Sequence, residues 1–152
     1  MQRLAGVWTG TYEYLEPPLG SPGVGFTLEL LDGSSWRLLG EVWDDSIGGM
    51  EGRGTISGWS LGRYVWFLKV MPFVHVWHDP KPIALEDYLQ AHFGERLPHA
   101  PGRQPISYRG IVARDRQAVQ GTWRMPHRWL SLASGRVVLF QSARGTWEMR
   151  RR

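Results

Sequence analysis

The chain reads as all-β: a closed antiparallel up-and-down barrel of eight to ten strands, with one short helix in an insert. Three observations predict it. Short runs of alternating apolar and polar residues are separated by turn residues, the pattern of an antiparallel sheet. One parity of these runs is rich in glycine and large aromatics, which suits a strongly curved wall. The triplet Gly-x-Trp occurs at Gly6-Val7-Trp8, Gly121-Thr122-Trp123 and Gly145-Thr146-Trp147, opening and closing the chain.

The elements follow in order. The first run covers 6–15 and stops at Glu16-Pro17-Pro18-Leu19-Gly20-Ser21-Pro22-Gly23. The second, 25–31, meets Asp32-Gly33-Ser34, a strong hairpin signal, and the third follows over 35–43. After Asp44-Asp45-Ser46-Ile47-Gly48-Gly49 come a fourth run, 51–59, and a fifth, 63–71, joined by a turn at Ser60-Leu61-Gly62.

Residues 72–104 break the pattern with five prolines, a sixth following at Pro105. A helix is expected over Ile83–Phe93, where Leu85, Tyr88, Leu89 and Phe93 share a face and Glu86 and Asp87 suit the first turns. This stretch reads as an insert or lid over one barrel mouth, within one domain spanning 1–152. Further runs follow at 105–113, 118–125, 136–141 and 144–150. A meander this long removes its edges by closing, which requires its terminal strands, near Trp8 and Trp147, to be neighbours. About eight strands enclose an interior that holds side chains or one small ligand.

Composition narrows the function. At 152 residues and 42% hydrophobic, the chain can bury a core and is not disordered. Without cysteine it has neither disulfide nor thiolate metal site. No window approaches the roughly 20 apolar residues of a membrane span, and the opening residues do not read as a signal peptide. A bacterial cytoplasmic protein is the expectation. Of the 18 basic residues only Lys69 and Lys81 are lysine, consistent with GC-rich coding. The net charge of +4 is spread along the chain, apart from Arg150-Arg151-Arg152, so no nucleic-acid partner is expected.

The opening Gly6-Val7-Trp8-Thr9-Gly10-Thr11-Tyr12 resembles the start of lipocalin-like and avidin-like barrels. The order of Phe26-x-Leu28-x-Leu30, Gly52-x-Gly54-Thr55-Ile56-x-Gly58, Val65-x-Phe67-x-Lys69, Ile106-x-Tyr108-x-Gly110 and Gly145-Thr146-Trp147-Glu148-Met149 resembles uncharacterised bacterial calycin-like small barrels. The resemblance covers most of the chain outside 72–104. It implies a calycin-type barrel and carries over no catalytic residue.

Several patterns suggest chemistry. Gly58-Trp59-Ser60-Leu61-Gly62 matches the nucleophile-elbow spelling, but a strand follows it where that motif needs a helix, so Ser60 reads as a turn residue. His75-Val76-Trp77-His78-Asp79 offers two imidazoles and a carboxylate; on a strand the two rings face opposite ways, and His92, His99 and His127 lie elsewhere. No metal, cofactor or catalytic residue is expected. Asp44-Asp45 reads as a turn before an acid/base pair.

Lys69 is the sharpest candidate. It shares a parity with Val65 and Phe67, so its ammonium belongs in the barrel or at its rim. There it meets an anionic ligand, pairs with Asp44, Asp45 or Glu51, or snorkels to water. The functional expectation is a small-molecule-binding barrel taking an apolar or anionic ligand, its cavity lined by Lys69, Tyr12, Tyr108, Trp8, Phe67 and Trp123. The alternative is a protein–protein interaction module, because Trp36, Trp43, Trp59, Trp66, Trp77 and Trp129 exceed what one small core can hold. A homo-oligomer would fit that alternative. An enclosed polar cavity favours the ligand, and a filled core with an aromatic surface patch favours the interaction.

Overall fold

Alternation becomes curvature once the inward positions are filled. The computed structural model describes residues 4–15, 23–33, 36–45, 49–50, 52–78, 81–98, 103 and 105–152, with Trp77, His78, Lys81 and Pro82 described in backbone only. Eight long strands make the barrel: β1 (Gly6–Tyr14), β2 (Val24–Leu30), β3 (Arg37–Asp44), β4 (Arg53–Leu61), β5 (Tyr64–Val70), β8 (Ile106–Val112), β9 (Ala118–Met125) and β12 (Ala143–Arg151). The closed order is β1-β12-β9-β8-β5-β4-β3-β2, every neighbour antiparallel. The terminal strands seal it, Trp147 lying across from Tyr12 and Trp8 across from Arg151.

The expected inward parity holds. Trp8, Tyr12, Phe26, Leu28, Leu30, Val65, Phe67, Ile106, Tyr108, Val119, Trp123, Trp147 and Met149 are all buried in one core. The inward glycines make room, and neighbouring indoles take it. A Cβ on Gly110 would meet Trp147 Cζ2 at 2.7 Å, and one on Gly145 would meet the Trp123 ring. The buried indole N–H groups reach main-chain carbonyls. Trp8 donates to Leu4 O at 2.9 Å, Trp123 to Glu13 O at 3.1 Å, and Trp147 to Arg109 O and Thr122 O, each at 3.1 Å. The three Gly-x-Trp triplets are not packed alike: the Trp123 ring fills the space at Gly145, the Arg151 guanidinium lies nearest Gly6, and the Arg109 backbone lies against Gly121.

The two ends of the barrel differ. At one end the connections are short, 31–36, 62–63 and 113–117, and Leu4, Trp8 and Arg151 pack beneath the N-terminal approach. The Arg151 guanidinium lies 4.7 Å from the Trp8 ring centre and donates to Ala5 O at 2.7 Å. The opposite end carries every long connection: 15–23, 45–52, 71–105 and 126–142.

The last two connections build a second, smaller layer. The insert contributes β6 (His75–His78), β7 (Lys81–Ala84) and α1 (Leu85–Phe93); the 126–142 connection contributes β10 (Arg128–Ser131) and β11 (Val137–Phe140). Leu85, Leu89 and Leu132 form its core, with Val76, Tyr88, Phe93 and Phe140 packed around them. The helix has the expected apolar face but begins at Leu85, because Ile83 and Ala84 pair with Val76 and His75 to finish β7. It ends at Gly94, whose φ of 63° puts it in the left-handed region that glycine adopts freely.

Three local readings change. The run at 136–141 is not a barrel strand: its ordered part, β11, pairs with β10, and neither has a fully buried face that a period of two could reveal. The β6–β7 hairpin lies in a proline-rich stretch with no strand signal. Ser60 lies within β4, opposite Val65, and the turn falls at Gly62-Arg63; the nucleophile-elbow geometry is absent.

Candidate functional site

The inward row of β3 is Leu38, Gly40, Val42 and then Asp44; that of β5 is Val65, Phe67 and then Lys69. Both rows place a charge two residues past their last apolar side chain, at the end carrying the long connections. The charges meet there: Lys69 Nζ lies 2.6 Å from Asp44 Oδ1, with both side chains out of solvent (3% and 0% exposed). Asp44 Oδ2 accepts from the Tyr12 hydroxyl at 2.9 Å and from the Met50 N–H at 3.1 Å. The ammonium also lies 5.0 Å from the Tyr12 ring centre.

Of the alternatives open to Lys69, the structure shows the ion pair with Asp44. Asp44 thus belongs to the interior, and Asp45 is exposed. The structure brings Tyr12, Lys69, Phe67, Tyr108 and Trp123 together. Phe67 stacks on Tyr108 with ring centres 5.0 Å apart, and Trp123 meets Tyr12 edge-on at 6.0 Å. Trp8 sits toward the other end, under Arg151. The space beside the ammonium, bordered by Phe26, Leu28, Val42, Ile56, Phe67 and Tyr108, measures about 10 Å³. That is about the room for a single water.

Electrostatics fix the protonation of the phenols here. Burial, and then the Asp44 charge, push the Tyr12 and Tyr108 hydroxyls far above the ordinary phenol range. The same two causes, in the same order, raise Tyr14 to about 12. None of the three phenols is a base near neutrality. The Asp44 carboxylate already accepts three hydrogen bonds, so the cluster holds itself in place.

The larger concavity lies outside. On the outer wall, across β4, β5, β8, β9, β12 and β1, is an open trough of about 1330 Å³. Register builds it from two rows. One runs Tyr64, Ile111, Gln120, Glu148, Thr11; the other runs Trp59, Trp66, Arg109, Thr122, Thr146, Glu13. The aromatic bank stands on β4 and β5 and the polar one follows on β8, β9, β12 and β1, with the short Thr122 and Thr146 between Arg109 and Glu13. The aromatic bank is rigid and open: Trp59 and Trp66 have ring centres 6.2 Å apart, and Trp66 Nε1 donates to Ser107 Oγ at 3.0 Å. Tyr64 is 65% and Trp59 41% exposed. Arg63 Nε donates to Val112 O at 2.9 Å, which fixes that side chain beside the trough.

The sequence marked Trp59 and Trp66 among tryptophans beyond what one small core can hold. It missed the polar bank, which needs the register of strands far apart in the chain. Trp36 and Trp129 are exposed as expected, Trp43 and Trp66 are half-buried, and the Trp77 side chain lies outside the described residues. Among the described residues no group of three metal-ligating side chains occurs. His75 Nδ1 lies 3.0 Å from Phe73 O, while the His78 side chain, Asp79 and His99 lie outside the described residues, as do Glu51 and Ser46. No helix among the described residues is long and apolar enough to cross a membrane.

The closed eight-stranded barrel is compatible with a calycin-like fold, but no family model, curated protein or solved structure matches the chain.

Proposed function

We propose that the protein is a non-catalytic binding protein whose ligand, a neutral amphipathic molecule, lies in the trough on the outer wall of the barrel. The observation that carries this is the contrast in space: about 1330 Å³ outside against about 10 Å³ beside Lys69. Ligand sites are concave, mostly apolar, and oriented by a few polar groups, and the trough has that makeup. Its lining holds Arg63 and Arg109 against Glu13 and Glu148, so its formal charge balances and a neutral occupant fits.

The indole N–H signals of the nine tryptophans offer a direct test by two-dimensional NMR. Titrating neutral aromatic and polyol fragments should move the signals of Trp59 and Trp66, with Trp147 at the trough's lining free to follow, and leave those of Trp8 and Trp123 in place. The reverse pattern overturns the reading.

One observation favours a second reading, a ligand inside the barrel. Lys69, Tyr12 and Tyr108 lie at the end that carries all the long connections, and loops on a rigid scaffold commonly carry binding. A ligand there with an anionic or carbonyl group must open the packing around the cavity. The same titration would then move Trp123.

A further inference from the structure

We infer, resting on the trough reading above, that its ligand is a neutral saccharide. Three features of the outer wall point to that chemistry.

The first is the pairing of donors with acceptors. Glu13 and Glu148 only accept hydrogen bonds, Arg63 and Arg109 only donate, and Gln120 does both. No ion pair joins these arginines to these glutamates among the described residues, and all are exposed. A ligand that uses both signs must donate and accept along its length. A hydroxyl does both from one oxygen, so a polyol satisfies the whole bank.

The second is the aromatic bank. Trp59, Tyr64 and Trp66 present ring surface that a flat, apolar C–H face can cover, and a pyranose has such a face with hydroxyls around its rim. The Trp66 ring is already fixed through Ser107, so little freedom is lost on binding.

The third is what the wall excludes. A nucleic acid needs a cationic track, and here two arginines face two glutamates. An extended peptide adds to a free sheet edge, and the eight barrel strands close with none. A saccharide needs neither.

The test follows Trp fluorescence and indole N–H shifts on titration with cellohexaose, which is neutral and flat-faced. Poly(U) RNA and an amphipathic Leu-rich peptide serve as the competing classes. Cellohexaose should shift Trp59 and Trp66. Trp66→Ala should weaken its binding about tenfold or more, the effect of losing a stacking anchor. Trp129→Ala, on β10 and outside the trough, should leave binding unchanged. Arg109→Ala should weaken it while keeping the fold, as read by the unmoved Trp8 signal at the other end of the barrel. If cellohexaose and maltohexaose leave Trp59 and Trp66 unmoved while a neutral aromatic fragment moves them, the saccharide is wrong and the trough reading stands. If RNA or the peptide binds through Trp66 and the sugars do not, the inference is overturned in favour of that class. If nothing moves these indoles, both readings fall.

Discussion

At the scale of single residues, the Asp44 carboxylate governs the interior. It is fully buried and accepts from Lys69, Tyr12 and Met50. A buried pair adds little net stability, but breaking it by removing one partner is costly. Lys69→Met should therefore cost about 3–5 kcal/mol in denaturant unfolding. Adding Asp44→Asn should restore much of that, because the amide removes the stranded charge yet still accepts from Met50 N–H. A loss below about 1 kcal/mol for the single variant would mean that water already reaches Asp44.

The buried phenols set a second residue-scale expectation. In the unfolded chain a tyrosine ionises near 10.0; in the folded protein Tyr12 and Tyr108 resist ionisation far above that. Above pH 10 the unfolded state then binds fewer protons than the folded one, so stability falls as pH rises. Each such phenol should contribute a slope of about 1.4 kcal/mol per pH unit. Tyr14 contributes only until its folded value of about 12. Unfolding free energy measured from pH 9 upward should show the decline, and Tyr108→Phe should flatten it by one phenol's share. A flat profile would mean that these hydroxyls reach water.

At the scale of elements, α1 illustrates dependence on neighbours. Nine residues form a helix that is marginal alone, its N-cap Ala84 makes no side-chain cap bond, and it stands because Leu85 and Leu89 pack against Leu132 and the β10–β11 hairpin. Leu89 is fully buried, so Leu89→Ala should remove about 2–5 kcal/mol locally. Its cluster is separate from the barrel core. Hydrogen exchange should therefore show α1, β10 and β11 losing protection together while β1 and β12 keep theirs. Equal loss in both groups would show that the two cores unfold as one.

At the scale of the whole molecule, closure decides what the surface tolerates. Thr11 is exposed, yet it lies in β1, paired on one side with Gly25 and on the other with Glu148. In an open sheet an outer strand accepts proline; here no barrel strand is an edge. Thr11→Pro should cost about 1–3 kcal/mol through an orphaned ladder acceptor, whereas Thr11→Ala should change stability by less than about 0.5 kcal/mol. Matching denaturation midpoints for the two variants would contradict closure at this seam.

The sequence by itself determined the barrel, its inward faces and its seam. Those follow from a period of two and from Gly-x-Trp at both ends, because side chains on a strand alternate strictly between faces. It also named three acids, beside an anionic ligand and water, as partners open to Lys69, and of these Asp44 stands on the inward parity two residues past Val42. Only the tertiary structure decided what filled the room left by the inward glycines. A missing Cβ leaves the same space for a ligand or for a neighbour's indole, and which of them enters depends on strands more than a hundred residues apart, as with Trp123 and Glu13. The trough is decided in the same way. Its aromatic bank is local to β4 and β5, but its polar bank comes from β8, β9, β12 and β1 with Arg63 of the turn after β4, and register across a closed sheet is fixed by all eight strands together.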